Sequence, residues 1–222
     1  MSDGSTPSAG VGSMLIAEQV VRCIAQTAVE NEAHFSALDS VVGDGDFGFS
    51  LARGFEKVLA EFDTLDRSNV GTLLKKVAVI ITSRCGGTSG PIWGTAFLRA
   101  GGAAAELQAI GPAQVVLMLR AAFNGIAQRG GASLGDKTLL DALGPFIDCF
   151  EREAVNGSSP PLLALERASE AADLAARATS ELVAKRGRAA YTGERSRGSV
   201  DPGATAVAVI AKSLCSALRG TA

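Results

Sequence analysis

The spacing of apolar residues does most to narrow what this chain can become. They recur at steps of three and four along almost its whole length, which puts them on one stripe of a helix, not on one face of a strand. Leu15, Ile16, Val20, Ile24 and Ala28 make one such stripe, and Leu51, Phe55, Val58 and Phe62 a second. Val116, Leu119, Phe123 and Ile126 make a third, followed by Leu139, Leu143, Phe146 and Phe150, where Pro145 is placed to bend the helix. Ala168, Ala171, Ala175, Ala178 and Leu182 form an alanine-rich stripe, and Val207, Ile210, Leu214 and Leu218 the last. Segments near 70–84 and 93–107 bring the count to about eight helices with short connections. Strand-type alternation is scarce, so the expected fold is all-α. One run opposes it: Val77-Ala78-Val79-Ile80-Ile81-Thr82 is β-favouring and precedes Gly86-Gly87, as a strand feeding a phosphate loop would. A doubly wound α/β sheet needs several such strands alternating with helices, and it stands as the alternative. Periodicity leaves open whether the apolar faces meet on side chains or enclose a cavity.

At 222 residues the chain can form one sizeable core. The polar, small-residue stretch 1–12 is expected to be flexible, and 13–222 to form one domain. A net charge of −2 with no basic block lacks the electrostatic footprint of a nucleic-acid binder. Cys23, Cys85, Cys149 and Cys215 form no C-x-x-C pair and the chain has a single histidine, His34, which argues against a zinc site and for reduced thiols. Residues 1–12 have neither a basic nor an apolar leader pattern, and no run of about 18 apolar residues suggests a membrane span. The expectation is a cytoplasmic protein.

Chemistry concentrates in four loops. The first, Leu38-Asp39-Ser40-Val41-Val42-Gly43-Asp44-Gly45-Asp46-Phe47-Gly48, sets three carboxylates in one glycine-rich turn. Like charges so close raise one another's energy unless a cation sits among them, and hard oxygen ligands suit Mg²⁺ shared with phosphate. A calcium EF-hand starting at Asp44 is excluded, because its sixth and twelfth places hold Phe49 and Phe55 where glycine and glutamate are needed.

The second loop, Gly86-Gly87-Thr88-Ser89-Gly90-Pro91, can aim backbone N–H groups and two hydroxyls at an anion at a helix start. The third, Gly130-Gly131-Ala132-Ser133-Leu134-Gly135-Asp136-Lys137-Thr138, nearly spells a Walker A loop, but Asp136 separates Gly135 from Lys137 and the preceding segment reads as helix. Asp136 is instead expected to cap the next helix or hold Lys137. The fourth, residues 187–198, carries Arg188, Arg195 and Arg197, whose guanidinium forks match phosphate oxygens. Asp201 then suits the N-cap and Pro202 the first turn of the last helix. His34 is isolated and reads as structural.

The wording and order of these loops resemble the L subunit, the nucleotide-binding domain, of dihydroxyacetone kinases. The matching segments are LDSVVGDGDFGFSLARGF, GGTSGPIWGTAFLRAG, GGASLGDKTLLDAL and GRAAYTGERSRGSVDPGATA, spanning roughly residues 38–206. The resemblance implies an eight-helix antiparallel barrel with ADP or ATP in the loops at one end. It implies that Asp39, Asp44 and Asp46 hold Mg²⁺, and that Gly86, Gly87, Thr88 and Ser89 hold phosphate. Phe47, Gly48, Phe49 and Ser50 would contact nucleotide, Gly130 and Leu139 would lie around the base, and Arg188, Asp201, Pro202 and Gly203 would close over it. Arg188 is the candidate phosphate stabiliser, and no other catalytic residue is implied.

The family commonly has histidine where Phe47 stands and alanine where Thr88 stands. Its sugar is bound by a separate K subunit, so the implied partners are that subunit and a phosphotransferase-system phosphoryl donor, in a homodimer or hetero-oligomer. Two versions follow, ATP exchanged each turnover or ADP retained as a coenzyme. The contrasting reading is a non-catalytic nucleotide-sensing module. Fatty-acid kinases use a similar domain, but Asp39 stands where they tend to carry asparagine.

Overall fold

The computed structural model describes residues 9–220. Eight helices of fifteen residues or more run α1 (Ala9–Glu30), α3 (Phe47–Glu61), α4 (Val70–Arg84), α5 (Ser89–Ala103), α6 (Pro112–Gly130), α7 (Leu140–Ala154), α8 (Pro161–Ala178) and α9 (Pro202–Arg219), with a short α2 (Glu32–Asp39) after α1. Among the described residues there is no strand. The β-favouring run 77–82 lies inside α4. There Val77 and Ile81 are fully buried and Ala78 and Ile80 nearly so, so burial overrides the weak helix propensity of β-branched residues. The first helix begins at Ala9, inside the stretch expected to be flexible, and residues 1–8 lie outside the described residues.

Local sequence sets the helix ends. Asn69 accepts a hydrogen bond from Thr72 N at 2.8 Å at the start of α4, and Asp201 accepts one from Ala204 N at 2.7 Å at the start of α9, each satisfying an otherwise orphaned donor. Prolines occupy the first turn of α6, α8 and α9, where the missing N–H costs nothing. Pro145 lies within α7.

Each long helix packs on its neighbours in chain order, and α1 packs on α9, closing the helices into a ring. Phe35, Leu51, Phe55, Phe62, Leu73, Val77 and Ile81 are fully buried on one side of it. The Phe55 ring meets Trp93 edge-on at 6.2 Å and Phe97 at 6.1 Å, pinning α3 to α5. On the other side, Ala164, Ala168, Ala172 and Ala176 line the buried face of α8 and let α7, α8 and α9 approach closely. The expected stripe through Ala168, Ala171, Ala175 and Ala178 shares Ala168 with this face but then drifts from it, with Ala171 and Ala175 half-buried. Ala178 is exposed.

The apolar faces do not fill the ring. A cavity of about 320 Å³ lies inside, lined by Val20, Ile24, Trp93, Met118, Phe146 and Val207 among others. No helix among the described residues is long and apolar enough to cross a membrane.

Candidate functional site

Alternation around the ring decides where the loops fall. With consecutive helices running up and down, the α2–α3, α4–α5, α6–α7 and α8–α9 connections emerge at one end. These are the four motif loops.

In the first, α2 ends at Asp39 and the chain turns tightly, with Gly43 N donating to Asp39 O at 2.6 Å and Gly45 at φ +76°. One carboxylate oxygen each from Asp39, Asp44 and Asp46 falls within 4.8 Å of the others. Asp46 occupies the N-cap of α3 but makes no side-chain cap bond, so its carboxylate is spent elsewhere. Asp39 Oδ2 accepts from Phe47 N at 3.3 Å. The start of α3 is pressed onto α2: a side chain at Gly48 would meet Glu32 O and Ser36 N, so only glycine fits there. Ser36 Oγ accepts from Phe49 N at 3.2 Å, a contact the loop motif alone does not reveal.

The cation facing this cluster is Arg188. Its Nη1 pairs with Asp46 Oδ2 at 3.0 Å and lies against Asp44 Oδ2, from 142 residues further along the chain. The surrounding segment, Arg188–Ser196, is a kinked 3₁₀ turn with Gly193 at φ 56°. The donor set of three hard carboxylate oxygens fits a divalent cation such as Mg²⁺, with which Arg188 would compete for two of them.

At the second loop, Gly86, Gly87 and Thr88 are exposed and Ser89 half-buried. Gly87 is at φ +58° and the first turn of α5 has no side-chain cap, which leaves backbone N–H groups for an anion. Gly86 lies beside Ser50, whose Oγ would be 3.1 Å from a Cβ there, so the first two loops touch. Phe47 is half-buried. It packs on the core, 6.1 Å from the Phe35 ring. His34 is exposed, its ring 5.8 Å from Phe35.

Leu139 and Gly203 are neighbours across the third and fourth loops, with Leu139 Cβ 3.3 Å from where a Gly203 Cβ would stand. Gly130 abuts Ile92 of α5. Asp201 and Pro202 serve the α9 start: Asp201 N donates to Thr179 Oγ1 at 2.8 Å and its carboxylate caps the helix. Burial pushes the Asp201 carboxyl up to about 7, with Asp141 adding to the effect.

The third loop departs from expectation. Asp136 neither caps α7 nor holds Lys137. Its carboxylate accepts from Ser133 N at 3.1 Å and pairs with Lys185 and Arg186, each at 3.2 Å. Asp141, in the first turn of α7, reaches back instead and ties the loop to the helix, accepting from Thr138 N at 2.7 Å and from Gly135 N, while Thr138 Oγ1 accepts from Leu140 N at 3.2 Å.

A ring of helices carrying a carboxylate trio, an opposed arginine and an uncapped glycine loop at one end is the class into which the comparisons place the chain. It belongs to the DAK2 domain family, whose model matches residues 41–216, and within it to the dihydroxyacetone kinase L subunits. It is 37% identical over 192 residues to the PEP-dependent dihydroxyacetone kinase ADP-binding subunit DhaL of Escherichia coli (strain K12), covering 86% of this chain and 90% of that protein. The L-erythrulose 1-kinase of Mycolicibacterium smegmatis is 34% identical over 219 residues, but this chain covers only 38% of it. Among solved structures, the dihydroxyacetone kinase from C. freundii in complex with AMP-PNP and Mg²⁺ matches with a TM-score of 0.73 and 27% identity, over 97% of this chain and 36% of that one.

Proposed function

We propose that this chain is the nucleotide-carrying phosphotransfer subunit of a dihydroxyacetone, or short-chain ketose, kinase. Residues 13–222 would act as one domain that presents a phosphoryl group to a separate K-type sugar-binding subunit. The observation that carries this is the Asp39–Asp44–Asp46 cluster with Arg188 against it, at the same end as the uncapped α5 loop.

Each group has a part in that reading. Asp39, Asp44 and Asp46 hold Mg²⁺, which when bound offsets charge on phosphate oxygens. Gly86, Gly87, Thr88 and Ser89 offer backbone N–H groups and hydroxyls to the phosphates. Arg188 steadies charge developing on the transferred group. Gly48, Phe49 and Ser50 line the approach from α3, Gly130 and Leu139 lie around the base, and the Asp201-Pro202-Gly203 turn closes the far side. Phe47, half-buried against Phe35, flanks the same approach.

Transfer to a partner needs an exposed site. Val41, Phe49, Leu134 and Tyr191 are exposed hydrophobic residues on the first, third and fourth loops or at their edges, which supports docking of the K-type subunit there as a hetero-oligomer. The DhaL relatives named ADP-binding and PEP-dependent or PTS-dependent support ADP held as a coenzyme and recharged by a phosphotransferase-system protein. Four free, buried cysteines among the described residues accord with a cytoplasmic setting.

The test is Asp44→Ala. Mg²⁺-dependent ADP binding is expected to be lost while the far-UV circular dichroism stays helical. Full retention of Mg·ADP affinity would remove the metal assignment. ADP binding without phosphotransfer in the presence of a K-type subunit would favour the sensor reading instead.

A further inference from the structure

The near-Walker loop has a lysine that cannot be a phosphate lysine. Lys137 is only 3% exposed, and its backbone sits at φ 62°, a conformation that residues with a Cβ seldom adopt. An ammonium has three donors, and Lys137 spends them on three backbone carbonyls. They belong to Leu182 at 3.2 Å, Ser199 at 2.6 Å and Ser196. None is left for a ligand.

These carbonyls bracket Arg188 on both sides. Asp136 adds to the grip, since its carbonyl accepts from Lys185 N at 3.0 Å while its carboxylate pairs with Lys185 and Arg186. The bracketed segment is also folded on itself, Ser196 Oγ accepting from Ala184 N at 2.8 Å and donating to Gly193 O at 2.7 Å. From this held platform the Arg188 side chain crosses to Asp46 and Asp44.

We propose that Lys137 is the positioning residue of the nucleotide site: it latches segment 182–199 so that Arg188 is held over the carboxylate cluster. The latch rests on the nucleotide reading above for its purpose, but not for its existence. Removing the ammonium strands three carbonyls and frees the segment, so Arg188 loses its place although it is untouched.

The experiment is a double-mutant cycle on ADP affinity in saturating Mg²⁺, using Lys137→Met, Arg188→Ala and the two combined. Lys137→Met is expected to weaken ADP by about tenfold or more. In the Arg188→Ala background it should add less than about twofold, the limit within which independent effects are read as additive. Effects that multiply, or a Lys137→Met protein that binds ADP like the wild type, would overturn the proposal.

Hydrogen exchange on the nucleotide-free proteins gives a readout that does not depend on ADP. In Lys137→Met the amides of 184–199 should lose protection while those of α3–α5 keep theirs. Uniform loss would assign Lys137 to general stability and overturn the latch. If the wild type itself fails to bind ADP, the nucleotide reading falls and hydrogen exchange still decides the latch. If Lys137→Met does not fold, Asp136→Asn serves: a smaller weakening that disappears in the Arg188→Ala background supports the proposal, and one that persists there refutes it.

Discussion

Replacing Arg188 by alanine should move two affinities in opposite directions. In the nucleotide-free protein the guanidinium is the cation facing Asp44 and Asp46, so it competes with a metal for the same oxygens. Both partners are about half-exposed at the side chain, 53% for Arg188 and 44% and 48% for the aspartates. Exposed ion pairs are worth about 0.2–1 kcal/mol, so its removal should tighten Mg²⁺ alone by roughly 1.5- to 5-fold. With nucleotide present the same arginine is a phosphate ligand, and hydrogen bonds to charged groups are worth about 1.5–3 kcal/mol. Mg·ADP should therefore weaken by roughly tenfold to a hundredfold. The second effect is the larger because its partner is a charge with few competing ligands, whereas solvent replaces the first. Isothermal titration of wild type and Arg188→Ala with Mg²⁺, then with ADP in Mg²⁺, measures both. Two affinities falling together would mean that Arg188 supports the cluster instead of competing for it, and the reasoning would fail.

Other outcomes follow from the packing and from buried charge. Gly48→Ala places a methyl 2.6 Å from Ser36 N and nearer still to Glu32 O. The overpacking should cost about 1–3 kcal/mol in urea unfolding, and it should weaken Mg·ADP because α2 carries Asp39; an unchanged midpoint with unchanged affinity would contradict this. Asp201 titrates near 7 when folded and near 3.8 in its ordinary state, so the folded protein binds more protons between those values. Its contribution to stability is fully present below about pH 4 and is lost as pH rises to about 7. Asp201→Asn keeps the cap and should remove that slope. Parallel stability curves for the two proteins across this window would refute the assignment.

What the sequence made legible depends on how locally each feature is encoded. The α3 stripe through Leu51, Phe55 and Val58 is fully buried as spaced, because large residues among polar ones mark a face without ambiguity. In α8 the stripe was right at Ala168 but drifted off the buried face by Ala178, since alanine occupies buried and exposed positions alike and carries little contrast. The run 77–82 resembled a strand because Val79, on the exposed face of α4, is apolar too and turns the buried stripe into a continuous apolar stretch. The carboxylate trio and the Asp201 cap are contained in single turns and could be read directly. The Arg188–Asp46 pair joins residues 142 apart, and neither spacing nor composition shows it. Lys137 was visible as a motif, but its three carbonyl partners lie 45 to 62 residues downstream. Asp136 reads as a partner of Lys137 or a cap of α7 for the same reason, since Lys185 and Arg186 lie about 50 residues on.

The central claim is that the loops at one end of the ring form an Mg²⁺-dependent nucleotide site. Calorimetric titration of nucleotide-stripped protein with ADP, with and without Mg²⁺, tests it most directly. Tight binding that requires Mg²⁺ is the predicted result. Failure of ADP to bind in the presence of Mg²⁺, or equal binding without it, would contradict the account.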